Sequence, residues 1–206
     1  MHLRKLAVMG GTFDPVHYGH LVAAEGVRHE FQLEKVVFIP AGRPPHKTDQ
    51  RISEAKHRLA MTTLAVASNP CIEVSDLEIN RPGPSYTFDT VQEVYRRYRP
   101  EEVFFITGAD AVLEILSWHR VQDLLNKCCV IAATRPGHDL NSLKGRLEML
   151  PAHLTARIVP LEVPALAISS SDIRRRVQNG KPIKYLLPEV VEEYINIHGL
   201  YQQDLH

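Results

Sequence analysis

The stretch Gly10-Gly11-Thr12-Phe13-Asp14-Pro15-Val16-His17-Tyr18-Gly19-His20 follows the apolar run Leu6-Ala7-Val8-Met9. It leads into a segment in which Leu21, Ala24, Val27 and Phe31 recur at helical spacing. It therefore marks the junction between a buried strand and the first helix. Two adjacent glycines permit a tight turn and let the backbone approach a ligand with no Cβ in the way. Amides at the start of the helix then face an anion. The string is not a P-loop, because no Gly-Lys-Ser/Thr follows, and it is not the G-x-G-x-x-G dinucleotide pattern. His17 and His20, three residues apart, share one face of the helix start, and Gly19 keeps that face open. Two histidines alone read as surface residues near a cap. Joined to the double glycine at a strand–helix junction, they read as donors to phosphate oxygens. A metal pair is a weaker option, since zinc takes further ligands and none is clustered nearby.

Outward from this junction the chain alternates strand and helix patterns. Val36 to Ile39, Val103 to Thr107 and Val130 to Ala133 read as buried strands, with short ones at Ile72 to Val74 and Ala156 to Leu161. Helices are predicted from His20 to Phe31, over Glu54 to Ala67, on the stripe Phe88, Val91, Tyr95 and Tyr98, over Ala109 to Leu116 and Val121 to Leu125, and over Ser171 to Gln178 and Glu189 to His198. Alternation of this kind implies an α/β fold, a parallel sheet with helices on both faces. Ligands of such folds sit at the carboxyl ends of the strands. No linker or repeat interrupts the pattern, so residues 1–206 read as one domain.

The composition agrees. The 206 residues are 44% hydrophobic and 23% charged, and 24 Lys and Arg offset 24 Asp and Glu. A neutral chain is not built to hold a long nucleic acid, but it can hold a small phosphate compound through a few local groups. Three cysteines, with Cys128 and Cys129 adjacent and no C-x-x-C pair, argue against a disulfide framework or zinc site and for a cytoplasmic setting. No run approaches the ~18 apolar residues of a membrane span.

Several further segments each have a bland reading. Pro44-Pro45-His46-Lys47, taken alone, is a solvated basic turn, although Lys47 offers a mobile cation. Ser85-Tyr86-Thr87-Phe88-Asp89-Thr90 opens a helix, and Ser85 or Thr87 would serve as its N-cap. Gly108-Ala109-Asp110 ends a strand, where it suits ribose or amide recognition or a plain helix cap by Asp110. The lone Trp118 lies in a loop, where its ring can stack on a planar ligand. Ser169-Ser170-Ser171-Asp172-Ile173-Arg174 starts a helix that can present amides and hydroxyls to phosphate, while Arg175 and Arg176 read as a solvated basic face.

His17-Tyr18-Gly19-His20 resembles the H-x-G-H motif of the nucleotidyltransferases related to class I aminoacyl-tRNA synthetases. The whole string Gly10 to His20 is similar to that of the bacterial nicotinate-mononucleotide adenylyltransferases. The Pro-His-Lys loop, the Ser-Tyr-Thr-x-Asp-Thr segment, Trp118 and the serine-rich helix start match that family in its order, with Ser171 where many members carry Thr. The resemblance implies a single Rossmann-like domain that transfers AMP from ATP to nicotinate mononucleotide. It assigns ATP to Gly10, Gly11, Thr12, Phe13, His17, Gly19, His20, Ser170 and Arg174. The acceptor falls to Lys47, Tyr86, Thr87, Gly108, Asp110, Trp118 and Arg135. Catalysis falls to His17, His20, Lys47 and Arg174, with Mg²⁺ brought by ATP and no protein metal cage. Another H-x-G-H enzyme, such as a nicotinamide-mononucleotide or pantetheine-phosphate adenylyltransferase, is the nearest alternative. A non-catalytic nucleotide sensor is a more distant one. Nucleic acid and membrane partners are not implied, and a homo-oligomer stays open.

The neutral charge is also a cancellation. Residues 169–184 carry Arg174, Arg175, Arg176, Lys181 and Lys184 against Asp172 alone. Residues 185–206 carry Glu189, Glu192, Glu193 and Asp204 with no Lys or Arg. The positive groups are thus expected where phosphates are held.

Overall fold

The computed structural model describes residues 3–44, 52–134, 145, 147, 149–164 and 166–202. Its strands are β1 (Lys5–Gly11), β2 (Lys35–Pro40), β3 (Ile72–Val74), β4 (Glu102–Gly108), β5 (Cys129–Thr134) and β6 (Ile158–Glu162). The helices among the described residues are α1 (Tyr18–Glu30), α2 (Ala55–Val66), α3 (Thr87–Tyr98), α4 (Ala109–Leu113), α5 (Val121–Lys127), α6 (Ala152–Thr155), α7 (Ser170–Gln178) and α8 (Glu189–Ile197).

All six strands lie in one parallel sheet of order β3-β2-β1-β4-β5-β6. Successive residues of a strand point to opposite faces, and the core divides accordingly. Leu6, Val8, Val37, Ile39, Phe105 and Val130 pack on one side with Phe88, Val91 and Val94 of α3 and Leu124 and Leu125 of α5. Ala7, Met9, Val36, Phe38, Phe104, Ile106 and Ile131 pack on the other with residues of α1, α2, α7 and α8. Apolar residues at every position of a strand, not at alternate ones, are what a sheet covered on both faces demands.

Several boundaries differ from the sequence expectation. α1 begins at Tyr18, two residues early, because His17 adopts the extended conformation of an N-cap (φ −149°, ψ 170°). The helix expected over Ala109 to Leu116 breaks at Glu114, and a 3₁₀ turn follows at Ile115–Ser117. The four-residue α6 is too short to show a period, and the sequence reading passed over it.

The strand order reverses between β1 and β4. β1 pairs with β4 from Lys5↔Glu102 as far as Met9↔Ile106, while Gly10 and Gly11 continue against Ile39 and Pro40 of β2. Parallel sheets open a crevice at such a switch point, beyond the carboxyl ends of the strands. On the β2 side the exit is tight. Ala41 donates its amide to the Gly11 carbonyl at 2.8 Å, and a Cβ on Gly42 would fall on the Glu78 backbone carbonyl. Gly108, at the end of β4, has nothing within 4 Å of its own added Cβ. Gly42→Ala should therefore lower the unfolding free energy by about 1–3 kcal/mol, the usual cost of overpacking. Gly108→Ala should be neutral or slightly stabilising. Urea unfolding of both variants checks the contrast.

Candidate active site

The turn from Thr12 to His17 is built around an aromatic ring. Phe13 is buried and sits in the left-handed region (φ 49°). Its ring meets Phe38 at 5.3 Å and the edge of His20 at 5.1 Å. The two glycines were expected to make the turn, but both lie inside β1 and neither has a positive φ. They are small for a different reason. A Cβ on Gly11 would stand 2.9 Å from the Phe13 ring, and one on Gly10 would stand 2.9 Å from Phe105. The glycines make room for rings, and Phe13 makes the turn.

Distant parts of the chain hold this turn by its polar groups. The Arg58 guanidinium of α2, 2% exposed, donates from Nη1 to the Thr12 carbonyl and from Nε to the Ser53 carbonyl, each at 2.9 Å. Asp14, also buried, accepts the Ser53 amide on Oδ2 at 3.2 Å and the Tyr201 hydroxyl on Oδ1 at 2.7 Å. Arg174 Nη1 donates to the Asp14 carbonyl at 2.7 Å, and the Ser170 hydroxyl donates to the Pro15 carbonyl at 2.8 Å. Ser170 and Arg174, expected at ATP, thus join the start of α7 to the histidine turn. Ser169 caps α7 by accepting the Asp172 amide at 3.1 Å.

His17 and His20 are brought face to face. Their ring centroids lie 3.8 Å apart at an interplanar angle of 24°. His20 Nδ1 accepts the His17 amide at 3.2 Å, which is half of a capping box. A ring nitrogen that accepts leaves the proton of the neutral imidazole on the other, so Nε2 of His20 is the donor. Gly19 lies under the His17 ring, 3.0 Å from where its Cβ would be.

The pair lines a cavity of about 580 Å³ at the switch point, with Gly19, Thr107, Gly108, Asp110, Thr134 and the serines 169–171. A second cavity, of about 650 Å³, is lined by Ser85, Tyr86, Thr87, Ala111, Glu114, Ser117, Trp118 and His119. α4 contributes to both, through Ala109 and Asp110 to the first and Ala111 to the second. The first carries two histidines, two threonines and three serines and is edged by the start of α7, which suits phosphates. The second has aromatic walls. Tyr86 stacks on His119 at 4.4 Å, and Trp118 stands edge-on to Phe105 at 5.9 Å. Gly108 and Asp110 lie with the histidines, apart from Tyr86, Thr87 and Trp118. Lys47, Arg135 and His46 lie outside the described residues.

Ser85 is not the N-cap of α3, a position taken by Tyr86. Its hydroxyl accepts the amides of Gly42 and Arg43 at 3.0 and 3.2 Å and so ties the exit of β2 to the second cavity. Sequence reasoning also passed over Thr107 and Thr134, polar residues near or at the carboxyl ends of strands, where the strand pattern was a usable signal. Arg58 and Tyr201 gave none, because their targets are backbone and carboxylate groups 46 and 187 residues away.

The cytidylyltransferase-like family model matches residues 8–176. Among named relatives, the probable nicotinate-nucleotide adenylyltransferase of Moorella thermoacetica is 60% identical over 98% of this chain and 93% of its own length. The protein of the same name from a Thermoanaerobacter species is 53% identical over 97% and 95%. Among solved structures, the Plasmodium falciparum nicotinic acid mononucleotide adenylyltransferase complexed with NaAD superposes with a TM-score of 0.78 at 21% identity, covering 98% of this chain and all of that one. That likeness is one of fold.

The Ser85 clamp carries a pH signature. Behind it lies Glu78, 6% exposed, which accepts the Thr90 hydroxyl at 2.5 Å and is also bonded by Ser85. Burial pushes its carboxyl above the ordinary value of 4.5, against the pull of Thr90, Ser85 and Arg81. The native state therefore holds this proton more tightly than the unfolded chain does. The contribution to stability is complete below pH 4.5 and is lost as pH rises through the raised native value. Glu78→Gln should remove this part of the decline, so its unfolding free energy should fall less than the wild type's between pH 4 and 7 in urea titrations.

Proposed function

The chain belongs to the cytidylyltransferase-like family, and we propose that within it the protein transfers AMP from ATP to nicotinate mononucleotide, giving deamido-NAD and pyrophosphate. The observation that carries this reading is the stacked His17–His20 pair in the cavity at the switch point, separated by α4 from a second cavity with aromatic walls. One holds a triphosphate and the other a planar ring, and a bond formed between the two yields a dinucleotide. The near-full-length relatives bear the name of this activity.

The acceptor's 5′-phosphate attacks the α-phosphorus in line. The new P–O bond forms as the bond to the bridging oxygen breaks, and pyrophosphate leaves with that electron pair. A phosphate is already a competent nucleophile, so no covalent intermediate or strong base is needed. Catalysis reduces to positioning and charge stabilisation. His20, with its proton on Nε2, and His17 donate to α- and β-phosphate oxygens as charge grows there. The amides at the start of α1 and α7 add to the same field. Lys47 and Arg174 steady the leaving group, Arg174 from the seat it already holds on the Asp14 carbonyl.

Asp110 is the only carboxylate among the described residues that line the first cavity. That donor set fits Mg²⁺ held mainly by ATP's phosphates and water, since this ion takes few protein ligands in such sites. It would neutralise phosphate charge. In the second cavity Trp118 stacks on the pyridine ring, and Thr87 with nearby amides receives its carboxylate. Three free cysteines, two of them buried, suit a reducing cytoplasmic setting. No helix among the described residues is long and apolar enough to cross a membrane.

Pyrophosphate release from ATP with a panel of mononucleotides tests the reading, and turnover with a different mononucleotide alone would overturn it. His20→Ala should lower kcat by about 10²–10³-fold, the usual size for one lost oxyanion donor. Retention of near-full turnover would remove His20 from that role. Trp118→Ala should raise KM for nicotinate mononucleotide far more than KM for ATP, and equal rises would exclude ring stacking. Amides that face a carboxylate meet a carboxamide NH₂ badly. Nicotinamide mononucleotide should accordingly show a much lower kcat/KM, and comparable values would refute this account of selectivity.

A further inference from the structure

One contact to the histidine turn comes from the far end of the chain. α8 packs on α2, where Tyr194 Oη and His57 Nδ1 share a hydrogen bond of 3.0 Å. The helix ends in a left-handed Gly199 (φ 59°), with the Leu200 amide on the Ile195 carbonyl at 3.0 Å and the Gly199 amide on the Asn196 carbonyl at 3.3 Å. This is a Schellman turn, and it reverses the chain sharply. Two residues later Tyr201 also has a positive φ of 64°, an outlier for so bulky a side chain. Backbone strain of this kind persists only where the surroundings over-determine it. Here the surroundings are Met61, whose sulfur lies 4.0 Å from the hydroxyl, and the buried Asp14 carboxylate.

We propose that Tyr201 is a positioning residue for the AMP transfer, its hydroxyl fixing Asp14 and through it the turn that presents His17 and His20. The proposal rests on the function inferred above. Asp14 stands three residues before His17, is 3% exposed, and has its own carbonyl bound by Arg174. Its Oδ1 accepts the Tyr201 hydroxyl at 2.7 Å, a hydrogen bond strengthened by the ionised acceptor. Burial, with the Asp14 charge, pushes the Tyr201 phenol far above its ordinary value, so it remains a donor at any working pH. Without that hydroxyl, Oδ1 is left in a buried setting with no donor from the C-terminal segment. The carboxylate must then turn toward water or another donor, and the turn moves with it.

Tyr201→Phe in the full chain tests this, assayed well below the unfolding temperature of both proteins. kcat should fall roughly 10- to 100-fold, the scale of a small misplacement of catalytic groups. KM for nicotinate mononucleotide should change by less than about twofold, because the cavity assigned to it is not touched. The ring resonances of His17 and His20, assigned through His17→Gln and His20→Gln, should shift in the variant with no substrate present. Asp14→Ala removes the acceptor of the same hydrogen bond and carries the test if Tyr201→Phe does not fold. The double variant should be no slower than the slower single one, as coupled residues require. A folded Tyr201→Phe enzyme with wild-type kcat and histidine resonances would overturn the proposal, whatever its melting temperature. Equal losses in kcat and in affinity for both substrates, or additive losses in the double variant, would do the same. If the wild type releases no pyrophosphate with nicotinate mononucleotide, the functional reading fails alone. The histidine resonances still decide the role of Tyr201.

Discussion

Two opposite charges buried behind the histidine turn, Arg58 and Asp14, are the constraint on which the rest of the site depends. Burial alone drives the Arg58 guanidinium below its ordinary value, and the Asp14 charge is the largest influence pulling the other way. Neither is tolerable in the interior without the other and without hydrogen bonds to complete it. Those hydrogen bonds run to Thr12, Ser53 and Tyr201, so burying the pair ties the turn to α2, to the segment before it and to the C-terminal end. A turn whose own conformation is unfavourable, with Phe13 in the left-handed region, is held in one shape by this arrangement. The opposite charges and these hydrogen bonds offset the cost of burial and hold the residues that lead into His17 and His20.

The sheet supplies the other half of the preorganisation. Because β1 parts from β4 after Met9, the groups that follow β1, β4 and β5 converge on one crevice. His17 and His20 follow β1, Gly108 and Asp110 end or follow β4, and Thr134 ends β5. α4 is short and breaks at Glu114, which lets it stand between two cavities and serve both.

Charge is distributed less simply than the sequence suggests. Arg175 and Arg176 both pair with Asp172 on their own helix, and Lys184 pairs with Glu189 and Glu192 of the acidic segment that follows. Arg175 and Arg176 are thus paired within their own helix, as the bland reading of them anticipates, and Lys184 joins the basic block to the acidic one. Arg174 differs because its position on α7 aims it at the Asp14 carbonyl.

The sequence by itself determined the class of fold, the strand–helix order and the identity of the histidine turn. Each is local: a run of apolar residues, a helical period, or a string of eleven residues is complete within its own stretch of chain. The same locality made Tyr86, Thr87 and Trp118 stand out as candidates, since they lie on segments with a pattern of their own, and the fold brings them to one cavity. It failed for the reason Gly10 and Gly11 are glycine, because the rings they accommodate are set by Phe13's backbone and by Phe105 on another strand. It failed too for Ser85, which reads as a cap and acts as a clamp on a loop more than forty residues away. Only the tertiary structure decided that Arg58, Ser170, Arg174 and Tyr201 converge on residues 12–15. Their partners are backbone carbonyls and one buried carboxylate, and such groups carry no sequence signature until folding brings the chain ends together.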